Sequence, residues 1–196
     1  MLKKGFFSLV LIKCFFFLSL ENHAQQQTYS TSADSYITVT GTSTLHDWEM
    51  RSENLRGEAV FNKDNNGSPQ TLESLTFRLG KTSLKSDKSQ LDRRAYQALN
   101  SNRHPEIIFR TNGSNSVRKN GDGYSVNARG ELTISGTTRR INVDANCING
   151  DDNKLICSGS QKLKMSDFEV DPPVLMLGTL RTGDEITINY RIVYMQ

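Results

Sequence analysis

Apolar and polar residues alternate along most of the chain with a period of two, the spacing that places successive side chains on opposite faces of a β-strand. Ile37 and Val39 alternate with Thr38 and Thr40, and Leu75, Phe77 and Leu79 with Thr76, Arg78 and Gly80. Val126, Ala128, Leu132 and Ile134 share one face, and so do Ile186, Ile188, Tyr190, Ile192 and Tyr194. Clusters of turn-forming residues at 62–68, 112–116, 119–123, 149–153 and 182–184 punctuate these runs. Roughly eight strands with such punctuation predict an all-β sandwich or barrel.

Two stretches depart from the alternation. Over 87–102, Leu91, Ala95, Ala98 and Leu99 fall at helical spacing, with Tyr96 beside them and Asp92, Arg93 and Arg94 facing away. Ser86 or Asp87 caps the start, and His104-Pro105 ends the helix and returns the chain to a strand at Ile107, Ile108 and Phe109. A single short helix therefore closes one end or side of the β structure. Over 167–177, Pro172-Pro173 exclude a central strand. The segment predicts an extended apolar loop that covers either the core or the mouth of a cavity.

The first residues change how the composition is read. Lys3 and Lys4 precede an apolar run from Phe6 to Leu20, interrupted by Lys13, and Ala24 follows as a small residue. This is the order of a secretory signal peptide, and the run is short for a membrane span. Cleavage near Ala24 and a periplasmic or secreted location are expected, with 25–35 a flexible lead and 36–196 one domain. Lys3, Lys4, Lys13 and Glu21 leave with the signal. The 24 basic and 21 acidic residues then become 21 and 20, and the net charge of +3 becomes +1. Such a chain offers no general field for nucleic acid, which is bound through many phosphate contacts.

Of three cysteines, Cys14 also leaves, and Cys147 and Cys157 remain in an oxidising compartment. They flank 149–153, so a turn centred near Asp152 sets them opposite each other on an antiparallel hairpin. A cross-strand Cys147–Cys157 disulfide is the reading favoured there, and a pair of small buried thiols is the alternative. Two cysteines without nearby histidines make an incomplete metal site.

Ser43, His46 and Asp47 invite a hydrolase reading. Neighbours in a strand point to opposite faces, so His46 and Asp47 do not naturally form a relay. No Gly-x-Ser-x-Gly elbow is present. His46 and Trp48 fit better as residues that pack in or rim a core.

Several segments, in order, resemble the YceI-like family of lipid- or polyisoprenoid-binding barrel proteins. Ser43-Thr44-Leu45-His46-Asp47-Trp48 resembles an early Ser-Thr-x-His-x-Trp segment. Leu91 to Arg94 running on to His104-Pro105-Glu106-Ile107-Ile108-Phe109 resembles a helix leading into a strand. Gly130 to Thr138 is similar to the family's Gly-x-Leu-Thr strand and turn, and Ser166-Asp167-Phe168 to a later element that glycine often follows; here Glu169 stands in that place.

The resemblance implies an eight-stranded antiparallel lipocalin-like β-barrel with one short helix, holding an isoprenoid or fatty-chain lipid in an apolar cavity. It implies no catalysis, no cofactor and no metal, and transient contact with a membrane. Alternation then assigns Phe77, Leu79, Ile107, Phe109, Leu132 and Ile134 to the cavity wall. Leu91, Tyr96 and Leu99 on the helix, with Phe168, Leu175 and Leu177 on the covering loop, would contact the chain or guard its access. His46 and Trp48 would meet the polar head. The same alternation would equally build a filled core, which is the competing reading: a structural or interaction module.

Overall fold

A computed structural model describes residues 25–175 and 179–196, apart from the side chains of Ser114 and Leu175. Among them are eleven strands and one α-helix. The strands are β1 Gln25–Thr31, β2 Tyr36–Ser43, β3 Trp48–Ser52, β4 Leu55–Lys63, β5 Pro69–Gly80, β6 Glu106–Asn120, β7 Gly123–Ile134, β8 Thr137–Asn149, β9 Leu155–Lys164, β10 Val174–Leu175 and β11 Leu180–Met195. The helix, α1, is Ser89–Ala98. The segment expected to be a signal peptide, 1–24, lies outside the described residues. Among those described, no helix is long and apolar enough to cross a membrane.

All pairings are antiparallel, and they close on themselves. β2 pairs β11 from Tyr36↔Arg191 to Ser43↔Thr182, and β1 continues along the same edge at Thr31↔Tyr194. β3 pairs β2, while β4 pairs β1. So β1 with β2 makes one bent stave, and β3 with β4 makes another. With β5, β6, β7, β8, β9 and β11 the wall has eight staves, the number expected from the family resemblance. The bend is held by side chains where the ladder breaks: Ser35 accepts from the Val193 amide at 2.9 Å and donates to its carbonyl at 3.2 Å. Closure leaves few unpaired strand edges to template aggregation, the exception being the mouth half of β8 and β9, which pair only from Asn146↔Ser158 to Asn149↔Leu155.

Four expectations are corrected. The lead at 25–35 is not loose: β1 pairs with β4 along six positions, and Tyr29 is buried edge-on against Phe61. The clusters at 112–116 and 182–184 do not end strands; they are register shifts inside the long strands β6 and β11. At the first, Gly113 takes a positive φ, and the buried Asn115 side chain bonds the Leu72 carbonyl and the Arg129 amide. An asparagine can replace a ladder bond, so turn chemistry here marks a bulge. The helix is shorter than 87–102 and starts after Lys88, with no side-chain cap. Asp92, expected to face away, is buried instead, accepting from the Ser86 amide and hydroxyl at 2.8 and 2.7 Å.

Inward side chains gather in two buried clusters rather than one. Tyr29, Phe61, Leu72 and Tyr194 belong to the first, and Phe109, Leu132, Leu163 and Phe168 to the second. The hairpins at 64–68, 121–122 and 150–154 mark the far end of the barrel, and 32–35 is the bend within the β1–β2 stave. The helix, the β2–β3 turn and the β10–β11 segment gather at the mouth.

Candidate functional site

The clusters do not fill the barrel. They wall a cavity of about 850 Å³ that runs from Phe61, Leu72 and Tyr194 at the far end to Leu45 and His46 at the mouth. Its volume lies within the roughly 300–1,000 Å³ of small-molecule sites. Phe77 and Leu79 on β5, Ile107 and Phe109 on β6, and Leu132 and Ile134 on β7 all face it. Backbone alternation puts them there, and Gly130 makes room: a Cβ at that position would overlap the Phe109 ring and the Arg110 carbonyl.

At the mouth, Leu91 of α1, Leu99 at its C-cap, and Phe168 of the 3₁₀ turn after β9 (Ser166–Phe168) also line the cavity. Tyr96 does not. Its hydroxyl donates to the carbonyls of Leu84 and Thr82 at 2.6 and 3.0 Å, which ties the helix to the segment after β5. The Leu175 side chain and Leu177 lie outside the described residues. Trp48 lies across Gly41, where a Cβ would collide with the indole, and its Nε1 donates to the Thr42 carbonyl at 3.1 Å. The indole is thereby fixed with part of its surface toward the cavity.

Ser43, His46 and Asp47 are joined as a turn and not as a relay. The Ser43 hydroxyl donates to the His46 carbonyl at 2.6 Å and accepts from the amides of Leu45 and His46. His46 Nδ1 lies 2.8 Å from the Asp47 carbonyl oxygen, so the Asp47 carboxylate does not orient the ring. Its Nε2 faces the Lys88 ammonium at 3.5 Å. His104 packs its ring on Gly136 in the β7–β8 turn.

The sequence reading missed several groups. Arg94, assigned to the outer face, lines the cavity with Lys88. The signal was present, since Arg94 follows Leu91 by three residues and so shares its side of the helix. Lys81 carries no pattern that marks it, yet it is fully buried and donates to the Leu99 carbonyl at 2.6 Å and the Ser135 hydroxyl at 3.1 Å. Burial lowers its pKa to about 8. Tyr190, a cavity-lining residue, is raised to about 12, first by burial and then by the Asp144 charge. Asp184 is lowered chiefly by the Ser166 hydroxyl and amide that it accepts from.

Cys147 and Cys157 form a disulfide across a directly opposed pair of β8 and β9, and both face the cavity's far end. Asp152 and Asn153, both at positive φ, make the turn between them.

A closed antiparallel barrel around one apolar, mouth-accessible cavity defines a lipocalin-like container. The chain belongs to the YceI-like domain family, which it matches over residues 26–194. Solved structures share its fold, three of them as follows. BcnA of Burkholderia cenocepacia is 15% identical, with a TM-score of 0.64 over 83% of this chain and 98% of that one. A polyisoprenoid binding domain from Saccharophagus degradans, implicated in plant cell wall breakdown, is 9% identical, with a TM-score of 0.62 over 87% and 98%. The YceI protein of Campylobacter jejuni is 20% identical, with a TM-score of 0.51 over 71% and 81%. No curated protein is significantly similar to the chain. Glu169, at the position where the resemblance implies glycine, sits at φ 56°, the left-handed region that glycine enters without strain. Its carboxylate reaches Arg139 at 3.7 Å.

Proposed function

We propose that the protein is an exported carrier or store that holds an isoprenoid or other long-chain lipid inside the barrel and does no chemistry on it. The observation that carries this reading is the continuous apolar cavity of about 850 Å³. A filled core would leave no such space. Each methylene moved from water into the wall's apolar surroundings contributes roughly 0.8 kcal/mol, so about ten outweigh much of the cost of immobilising the chain. The wall supplies few polar partners, which suits a ligand that is mostly hydrocarbon. The Saccharophagus degradans neighbour, named for polyisoprenoid binding, supports a ligand of this class. Export is supported by the N-terminal basic, apolar and small-residue order and by the disulfide, which fits an oxidising compartment. Absence of catalysis is supported by Ser43, whose hydroxyl is bonded within its own turn.

Native mass spectrometry of gently purified protein, followed by extraction and lipid identification, tests the proposal. A bound long-chain lipid, recovered chemically unchanged, is expected. Protein that arrives empty and takes up no prenyl chain would sink it.

A further inference from the structure

The cavity wall also carries information about the charge of what it holds. Among the described residues that line it there is no aspartate and no glutamate. Four basic side chains do line it: His46 from the β2–β3 turn, Lys88 and Arg94 from the start and middle of the helix, and Lys164 from the end of β9. The chain as a whole has 24 lysines and arginines against 21 aspartates and glutamates, so a wall drawn evenly from it would carry both signs. All four basic groups sit at the mouth, and the rest of the lining is predominantly apolar.

Nearby carboxylates are turned to other partners or outward. Asp92 accepts from Ser86 and lies 3.8 Å from Lys85. Asp184 accepts from Ser166 while also lying close enough to Lys164 to feel its charge. Asp47 and Asp87, the chain neighbours of His46 and Lys88, are exposed and outside the lining. The Lys88 ammonium stands 3.5 Å from His46 Nε2, so helix and turn bring two nitrogen groups to one spot on the rim.

Resting on the lipid-holding role proposed above, we infer that the ligand is a single-chain amphiphile with an anionic head, a carboxylate or a phosphate monoester. Its head sits among His46, Lys88, Arg94 and Lys164, and its chain lies in the barrel. A neutral head gains nothing from the Lys88, Arg94 and Lys164 charges, and a cationic head is repelled by them. An anion at the rim is attracted by several of them at once, in surroundings less polar than bulk water. The volume limits the chain count. At the roughly 30 Å³ that a water molecule takes in the liquid, the cavity holds on the order of 25 to 30 non-hydrogen atoms. That is one chain, and a two-chain phospholipid is too bulky.

Trp48 is the sole tryptophan, and it lines the mouth, so its fluorescence reports occupancy. Delipidated protein is titrated with matched probes: hexadecanoate, hexadecanol and hexadecylamine, then geranylgeranyl phosphate and geranylgeraniol. Each anion is expected to bind at least about tenfold more tightly than its alcohol, with the margin shrinking in high salt. In a Lys88→Gln/Arg94→Gln variant the margin falls toward one, the alcohol affinity reporting whether the cavity is intact. Lys119→Gln, at the far β6–β7 hairpin, keeps the margin. A stronger hold on geranylgeranyl phosphate than on hexadecanoate assigns the head as phosphate, and the reverse order assigns it as carboxylate; either supports the inference. Alcohols binding as tightly as anions, or hexadecylamine as tightly as hexadecanoate, overturns the anionic head and leaves the lipid-holding role standing. No binding of any probe overturns both.

Discussion

At the far end of the barrel, β8 and β9 pair from Asn149↔Leu155 to Asn146↔Ser158, and the Cys147–Cys157 disulfide crosses one of those pairs. Toward the mouth both strands run on, β8 back to Thr137 and β9 to Lys164, but no further register pair joins them among the described residues. One half of this seam is closed by backbone and a covalent staple. The other is closed by side chains. Tyr190 lies over Gly159, where no Cβ stands in its way, and donates to the Asp144 carbonyl on the opposite strand. Beyond it, Phe168 and Val170 bury themselves with Leu163, Leu132 and Phe109, and Glu169 reaches Arg139 of β8. The covering loop expected over 167–177 therefore includes the plug of an open seam. Hydrogen bonds along a ladder hold two strands at a fixed spacing, whereas a packed side chain holds them only as long as it stays packed. The mouth half of the seam is the half whose closure a single substitution can undo.

Truncating that plug breaks the comparison most strongly. Phe168 is 2% exposed. Phe168→Ala removes a whole buried ring, for which a loss of about 3–5 kcal/mol is usual. The denaturation midpoint in urea should fall accordingly. Hydrogen exchange read by mass spectrometry should quicken over 137–145 and 159–164 before it does over 146–149. Equal acceleration across both halves would mean that the seam behaves as one unit.

The stapled half is tested by removing the staple. Cys147→Ala/Cys157→Ala opens a loop whose ends are 10 residues apart, worth about 2.5 kcal/mol in the chain-entropy account. Here the order of exchange should invert, with 146–149 and 155–158 losing protection first. Unchanged stability would show that the four backbone pairs suffice by themselves.

Much of this was legible in the sequence, for identifiable reasons. Alternation placed Phe77, Leu79, Ile107, Phe109, Leu132 and Ile134 on one wall because strand period is a local property of the backbone. The turn at 149–153 set the cysteine register because the distance along each strand from turn to sulfur is fixed. The seam was not legible. Thr137–Asn149 and Leu155–Lys164 show similar patterning in the paired and unpaired halves, since period two reports which face is buried and says nothing about the neighbour at the edge. Nor did polar clusters at 112–116 and 182–184 reveal bulges, as glycine and asparagine serve a bulge and a turn by the same positive-φ and side-chain bonding. Alternation does not encode the cavity: the same apolar residues fill a barrel or line it, depending on how far apart the staves stand.

The β8 lip of the open half is also held from behind, and Lys81 allows that hold to be read by pH. Its ammonium and the Ser135 hydroxyl both donate to the Leu99 carbonyl at the end of α1, which fixes the β7–β8 turn to the helix. The negative end of the helix favours a cation there, but burial dominates and lowers the pKa from 10.5 to about 8. Between those values the unfolded chain holds a proton that the folded chain has released, so stability rises with pH across that window. Tyr190 and Tyr194 act in the opposite sense, since burial raises their pKa values. They begin to weigh only near pH 10, where tyrosines of the unfolded chain ionise. The gap in urea midpoint between the wild type and Lys81→Met should therefore shift in the wild type's favour from pH 7.5 to 9.5. The change should be on the order of 1 kcal/mol, the smallest of the three effects. Taking the difference between the two proteins cancels every other group that titrates in that range. A gap that does not move with pH would remove Lys81 as the titrating group and leave its hydrogen bonds as a purely structural clamp.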